Sequence, residues 1–519
     1  MRGRPDGNGY LLASAGCCYG SCTRTLAGDR TTSIRKEAPT QAAHIVDDGS
    51  FAVRSNASAE RDPLGWAGYP ETWRRARATS SADEAVVAGE ATVGGHAVEL
   101  LAFEFSFMGG SLGEVAGERV ACAMERATRR GVPVVVHTAS GGARMQEGMR
   151  ALAQLPKIIV ARQALARAHQ PLIAVAGNPT TGGVLLALCA LADVTIAEAD
   201  ATIGFAGPRV VQQVTGRALS TQSHTAASAL AHGLVDAVAE RRHVRRHVVA
   251  LLEALGRDEP GAGAGPPPPA RDGIEPWDAV VAARAPGRLT GGRVIEAVSE
   301  GAVALRGDRA GRDDPAIATM VGRVGGRRAL LVATDRKHRP RAAGFRKVVR
   351  CLRIAERLDL PVVTFIDTAG ADPSEESEAE GIAWAVAETM EAMLDLAVPT
   401  LAVVTGEGGS GGALALATTD VVIAFSDSIF TVIAPELAAE ILWRDARRAP
   451  EAARALKLTA AELVRFGIAD AAVPGPPTTA ALRATVAHHL ARLAAGAADE
   501  RGARRRARWR AAEGSGRDG

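Results

Sequence analysis

The chain has 519 residues and a formal charge of only +3, from 61 Lys and Arg against 58 Asp and Glu. It carries apolar material for two or three cores, but no overall excess of cation with which to hold nucleic acid. Six cysteines in so long a chain do not make a disulfide framework, and no apolar run reaches the ~20 residues a bilayer requires before Gly, Pro or a charge breaks it.

Residues 1–43 lack periodicity and read as a flexible leader; their basic start precedes only a fragment of an apolar stretch, so no secretory signal is expected and the cytoplasm is the expected compartment. Between His44 and Glu90 the text is mixed, with a helix predicted at Pro70–Thr79. Alternation predicts strand at Ala91–Phe107, and a helical pattern follows at Gly113–Arg130. VPVVVHTASGGARMQEG, from Val132, reads as a strand and a small-residue loop. QPLIAVAGNPTTGGV, from Gln170, reads as a second strand whose loop ends in Gly182-Gly183. A further strand leads to about Pro208, and a helical region at Ser223–Leu255 closes the first half.

GAGAGPPPPARDG, Gly261 to Gly273, is a proline and glycine linker. It places a linker at 259–275 between a unit at 44–258 and a second at 276–495. Residues 276–310 look largely helical and polar. Strands return at Ala316–Thr334 around a turn at Gly325-Gly326, and a helix at Gly344–Leu358 leads into LPVVTFIDTAGADPSEES. VPTLAVVTGEGGSGGALALATTDVV follows from Val398, then Glu451–Leu493 alternates helix and loop. In the basic tail at 496–519, the run RGARRRARWR is expected to be a solvated or frayed helix end rather than an anion-binding arm.

The two halves repeat one another. Pro133 recurs as Pro361, 228 positions on, and Pro171 recurs as Pro399 at the same spacing. Equal spacing implies a duplicated unit, and short β-branched strands alternating with helices imply α/β architecture in both copies.

Three readings compete for the glycine-rich loops. Gly406, Gly408 and Gly411 spell G-x-G-x-x-G with Asp427 downstream, a dinucleotide fingerprint that the first half lacks. Gly408, Ser410 and Gly412 spell G-x-S-x-G, a nucleophile elbow that would need His488 or His489. The reading both halves share is an oxygen held by backbone N–H groups where a helix starts against a strand end. Its donors would be Gly182, Gly183, Gly411 and Gly412, faced by Gly141, Gly142 and Ala143 in one half and Ala369 and Gly370 in the other. Glycines can serve packing alone, but two matched pairs favour function.

FEFSFMGGSLGEVAGERV, SGGARMQEGM, NPTTGGV and ATIGFAGPRVVQQ resemble the β subunit of bacterial acetyl-CoA carboxylase carboxyltransferase. GFRKVVRCLRIAERLDLPVVTFIDTAGADP, VVTGEGGSGGALALATTDVV and IAPELAAEILWRDARRAPEAARALKLTAAEL resemble its α subunit, so the likeness covers about residues 44–255 and 276–475. The resemblance implies two crotonase-like (ClpP/crotonase) α/β domains in tandem, pseudo-symmetric, and carboxyl transfer from carboxybiotin to acetyl-CoA, giving malonyl-CoA. It places Gly182 and Gly183 on the acyl-CoA thioester oxygen and Gly411 and Gly412 on the ureido oxygen of biotin. Once carboxybiotin has released CO2, its own enolate can take the acyl α-proton, so no side-chain base is required. Arg144 either positions the CoA or makes a helix-start salt bridge, and Arg346 and Lys347 read as a solvated helix face rather than a phosphate site.

The chain departs from that pattern at its start. The family's β subunit opens with two C-x-x-C pairs, whereas here only Cys17, Cys18 and Cys22 stand near the N-terminus, so no structural zinc and no metal site are expected. The segment ATDRKHRPRAAGFRK is shortened. Without a biotin-attachment motif or an ATP-grasp module, the expected partners are a biotin carboxylase and a separate biotin carboxyl carrier protein. A site shared between one copy's β-like half and another's α-like half implies a homodimer or larger homo-oligomer. Rival readings are a biotin-independent malonyl-thioester decarboxylase of malonate decarboxylase type, a carboxyltransferase for a longer acyl-CoA, and a non-catalytic CoA- or RNA-binding scaffold.

Overall fold

The computed structural model describes residues 39, 41–54, 62–80, 82–259, 265–270, 273–496 and 501–511. The expectations for residues 1–38, including Cys17, Cys18 and Cys22, lie outside the described residues, as does part of the 259–275 linker.

Each half contains an antiparallel hairpin turned by a glycine pair. β1 is Ala52–Val53; β2 (Val86–Val93) pairs with β3 (His96–Phe103) across Gly94-Gly95. In the second half β9 is Glu300–Ala304, and β10 (Ile317–Val324) pairs with β11 (Arg327–Thr334) across Gly325-Gly326. All four glycines have positive φ, the backbone that a two-residue hairpin turn demands. The single strand expected at Ala91–Phe107 is therefore two strands.

From each hairpin the chain turns parallel. β4 (Val134–Ser140), β5 (Leu172–Thr181), β6 (Val194–Glu198) and β8 (Ala237–Ala239) extend the first sheet in the order β1-β2-β3-β4-β5-β6-β8, and β7 (Ile203–Gly204) pairs with the far end of β5. β12 (Val362–Thr368), β13 (Thr400–Gly409), β14 (Val421–Phe425) and β16 (Ala471–Val473) extend the second in the same order, β9-β10-β11-β12-β13-β14-β16, with β15 (Ile429–Thr431) on the end of β13. β4, β5, β12 and β13 each begin directly after a proline and are almost wholly buried, as parallel strands covered on both faces must be. The helix Glu114–Arg130 before β4 is matched by Ala342–Leu358 before β12, each of 17 residues.

The two sheets share a core. Val244, Val248 and Leu251 on the helix Arg241–Leu255 pack in one cluster with Val98, Leu100 and Val135 of the first sheet and with Ile317, Val321, Phe345 and Leu352 of the second half. Acidic residues at the N-terminal ends of the first-sheet strands complete the contact. Asp193 accepts Leu172 N–H, Arg162 Nη2 at 2.8 Å and Arg357 Nη2 at 2.9 Å, while Asp236 takes Arg350 Nη2 at 2.9 Å and pairs with Arg309.

Three expectations are corrected here. Residues 276–310 hold two short helices, Pro276–Ala283 and Gly292–Val298, and then β9, because Pro286, Gly287 and Gly291 interrupt any longer helix. Arg346 and Lys347 are not a solvated face: Lys347 is buried with its Nζ on Asp313 and Asp314 O, and Arg346 pairs with Asp308. The run Arg501–Arg510 is a helix packed on the second half rather than a solvated end. Arg505 is 1% exposed and forks onto Asp420, with Nη1 and Nη2 also on the carbonyls of Met393, Leu396 and Val398. Among the described residues, no helix is long and apolar enough to cross a membrane.

Candidate active site

At the C-terminal end of β5 the chain reaches Thr181 and turns into a helix at Gly182. Threonine hydroxyls brace this end: Thr180 Oγ1 donates to Gly177 O at 2.8 Å, and Thr181 Oγ1 donates to Ser140 O at 3.2 Å. The loop after β4 lies directly opposite. Gly142 has φ +111 and Gly182 φ +61, and a Cβ on Gly182 would stand 3.0 Å from Gly142 Cα. Both positions need glycine, for conformation and for space.

The backbone donors of this cleft sort themselves by partner. Gly182 N–H donates to Phe205 O at 2.9 Å, Gly141 N–H to Gly109 O at 2.9 Å, and Gly142 N–H to Ser140 Oγ at 3.0 Å. Leu112 bridges the loop through Gly142 O and Arg144 N–H, leaving Ala143 N–H outside that ladder. Gly183 N–H falls in the first helical turn, where a helix supplies no acceptor of its own. So the donors expected at Gly182, Gly141 and Gly142 are already engaged, and Gly183 and Ala143 are the ones suited to an external oxygen. Beside them opens a cavity of about 700 Å³, lined by Ala143, Phe105, Met108, Asn178, Thr181 and Val210.

Arg144 also borders that cavity, but every N–H of its guanidinium is engaged by protein. It holds Glu84, Glu147, Tyr69 Oη, Ser111 Oγ and Ser111 O, at 1% exposure. Burial opposes its charge, and Glu84, Tyr69 and Glu147 outweigh the burial, so its pKa is raised. Arg144 is thus a strut under the loop rather than a free ligand for CoA.

The second half repeats the construction. Gly370 has φ +108 and donates to Thr368 Oγ1 at 3.2 Å, as Gly142 does to Ser140. β13, like β5, has ten residues, and the residue after it has positive φ: here it is Ser410, with φ +57. The strand register therefore sets Ser410 against Gly182, Gly411 against Gly183, and Ala371 against Ala143. Matching glycine pair to glycine pair is one residue out of step, and it passes over Ala371. The signal that would have found it is the constant spacing of 228 positions. Gly412 is pressed on the facing loop, since a Cβ there would lie 2.9 Å from Ala371 N, while at Gly411 it would meet nothing.

Beneath this second loop sits a layer of charge. Arg284 forks onto Glu407 at 2.7 and 3.0 Å and reaches Glu436, while Arg288 pairs with Asp427. Asp367 accepts Glu407 N–H at 3.0 Å, and its other carboxyl oxygen has no hydrogen-bond partner among the described residues. Burial pushes its pKa up to about 6.

This geometry removes both other readings of the segment. Gly406 and Gly408 lie inside β13, where a Cβ would strike Asp367 and the Phe430 ring at 2.3 Å, so they serve packing and not a phosphate loop. His489 is influenced by Asp470, whose Oδ2 accepts Val422 N–H near the start of β14, at the opposite end of the sheet from Ser410. Among the described residues, no acid–histidine pair stands behind that serine. Among the described residues, one His and carboxylate cluster has ligand spacing for a metal, His44, His137 and Glu198, and it uses none of the loop residues.

Two sheet-and-helix halves in tandem, each opening a backbone-lined cleft at its strand ends, define the crotonase-like carboxyltransferase class. The acetyl co-enzyme A carboxylase carboxyltransferase-like family matches residues 270–511. The acetyl-coenzyme A carboxylase carboxyl transferase subunits beta/alpha of Salinispora arenicola is 42% identical over 481 residues, covering 88% of this chain and 84% of that protein. The transcarboxylase 12S structure, described as a hexamer with hydrolysed methylmalonyl-coenzyme A bound, superposes with a TM-score of 0.72 at 23% identity, over 89% of this chain and 90% of that one. A single-chain, multi-domain long-chain acyl-CoA carboxylase superposes at 0.67 and 21% identity, over 88% of this chain and 47% of that one. The chain belongs to the acetyl-CoA carboxylase carboxyl transferase family, with β-like and α-like halves on one polypeptide. It is an enzyme, a biotin-dependent acyl-CoA carboxyltransferase.

Proposed function

We propose that this enzyme transfers the carboxyl group of carboxybiotin, presented by a separate biotin carboxyl carrier protein, to acetyl-CoA, forming malonyl-CoA. One observation carries the reading: two clefts of the same construction, each with positive-φ residues that bring a helix start against a facing loop. In the β-like half (44–258), Gly183 and Ala143 hold the thioester oxygen as it becomes negative, and Gly182 supplies the turn that aims them. In the α-like half (276–495), Gly411 and Ala371 hold the ureido oxygen of biotin, with Gly412 and Gly370 setting the gap and Ala369 on its wall. Fixed N–H groups suit both oxygens, because the negative charge appears where the donors already point.

The two clefts belong to different copies in this reading. Within a chain the halves meet at Asp193 and Arg357, by the N-terminal ends of β5 and β6. Gly182 lies a whole ten-residue strand away, roughly 30 Å at ~3.3 Å per residue. Exposed apolar side chains mark the faces that remain: Phe205, Val210 and Val214 on the first half, Leu437, Ile441 and Leu442 on the second. A homodimer or larger assembly that sets one against the other completes each site. A biotin carboxylase completes the reaction cycle, in the cytoplasm.

A longer acyl-CoA is a second reading, supported by the apolar lining of the cavity at Phe105, Met108 and Val210. The test is carboxylation of acetyl-, propionyl- and long-chain acyl-CoA with carboxylated carrier. A kcat/KM highest for acetyl-CoA supports the first reading, highest for a long chain the second, and no carboxylation of any of them rejects both.

A further inference from the structure

We propose that His44, His137 and Glu198 bind one divalent transition-metal ion of the zinc, cobalt or nickel class, tying the segment before β1 to the middle of the first sheet. Glu198 Oε1 lies 3.2 Å from His44 Nε2 and 3.4 Å from His137 Nε2, and the three ligand atoms all fall within 4.8 Å of one another. Ligands held ~2.1 Å from a tetrahedral ion stand about 3.4 Å apart, so the two contacts to the carboxylate have the spacing of a shared ion.

The hydrogen bonding of the trio is incomplete. His44 Nδ1 and Nε2 and His137 Nδ1 are all buried and make no hydrogen bond among the described residues. Buried ring nitrogens are rarely left so. The His44 Nε2 contact to the carboxylate is close but not aligned as a hydrogen bond. Arg241 Nη1 stands 3.7 Å from Glu198 Oε2 while its Nη2 donates to Gln41 O, which leaves Oε1 as the oxygen turned to both rings. Room for the His137 ring exists because residue 177 is glycine: a Cβ there would come within 2.8 Å of Cε1 and Nε2.

The donors contain no sulfur and come from three segments distant in sequence: the turn at 41–46, the middle of β4 and the end of β6. A fourth position falls to water, reached beside His44, whose side chain is 17% exposed.

The experiment strips the full chain with a chelator and titrates it with Zn2+ and, separately, Co2+. The expected result is one ion per chain and a Co2+ spectrum with ligand-field bands but no sulfur charge-transfer band. His44→Ala and Glu198→Gln should each weaken binding more than about 100-fold, beyond the loss typical of an outer ligand partner. His44→Ala changes a partly exposed turn, and its circular dichroism should match the metal-free parent, so a failure to fold is separable from a failure to bind. The triple variant Cys17→Ser, Cys18→Ser, Cys22→Ser should bind as the parent does. Absence of stoichiometric binding, a sulfur band, or unchanged affinity in His44→Ala and Glu198→Gln would overturn the proposal.

Discussion

Gly182 and Gly142 approach so closely that a single methyl group on Gly182 would stand 3.0 Å from the Gly142 Cα. The positive φ of Gly182 adds a backbone penalty of about 1–2 kcal/mol for any other residue. Gly182→Ala should therefore push the loop that carries Ala143 away from the helix start that carries Gly183. A 1 Å misplacement costs roughly 100-fold in rate, so acyl-CoA carboxylation should fall by about that factor while thermal melting shifts by only a few degrees. Steady-state kinetics together with a melting curve check this.

Gly183 and Gly412 should separate the two half-reactions. Gly183→Val drives into the Leu155 side chain, 2.8 Å from its Cβ, which pushes the Gly183 N–H off the proposed thioester oxygen, and acyl-CoA turnover should be lost while exchange on biotin persists. Gly412→Val drives into Ala371 N, 2.9 Å from its Cβ, and should do the reverse. Equal loss of both activities in either variant would end this assignment of roles.

Ser410 holds φ +57 without being glycine. Ser410→Gly should raise stability by up to about 1 kcal/mol, since strain of that order is relieved, with activity retained. Ser410→Ala should keep most of the activity as well. Complete inactivation by Ser410→Ala would restore the nucleophile reading.

Asp367 makes stability depend on pH with a definite sign. Burial raises its pKa from 3.8 to about 6, so between those values the folded chain binds a proton that the unfolded chain has released. Stability contributed by this group then falls as pH rises from about 4 to 6, by about 3 kcal/mol at ~1.4 kcal/mol per pH unit. Asp367→Asn should flatten that part of the curve, measured by urea unfolding across the interval. An unchanged slope would show that the carboxyl titrates normally.

Arg505 and Asp420 anchor the terminal helix. Arg505→Ala would strip Asp420 of its paired cation, leaving it only Thr400, and take the Arg505 donor from three backbone carbonyls. Removing one partner of a buried pair costs about 3–5 kcal/mol, so the variant should melt well below the parent. RNA binding, if assayed, should be absent from both. Salt-sensitive RNA binding that disappears on deletion of residues 501–510 would contradict this account of the tail.

Much of the architecture was legible because a parallel strand covered on both faces must be continuously apolar. VPVVV and LPVVTF announce β4 and β12 by composition, and the matched helices before them follow from apolar spacing. Gly94-Gly95 escaped notice although Gly325-Gly326 did not. A two-residue turn preserves the alternation of the strands it joins, so Ala91–Phe107 reads as one run. Loop conformation was legible in kind but not in register, because glycine identity drew attention from Ser410, which holds the Gly182 conformation. The tail could not be read at all from local sequence. Arg505 finds its partners 85 to 112 positions back along the chain, and a run of arginines gives no sign of that.

Under the proposed assembly, the Asp193–Arg357 tie fastens the halves back to back and so makes catalysis a communal property. A population in which every chain is defective at Gly183, mixed with one in which every chain is defective at Gly412, would regain function by intersubunit complementation. Random re-pairing of dimers makes half of them mixed, and each mixed dimer rebuilds one intact cleft of its two. Recovery to about a quarter of the parental rate is the signature of that arithmetic under twofold symmetry.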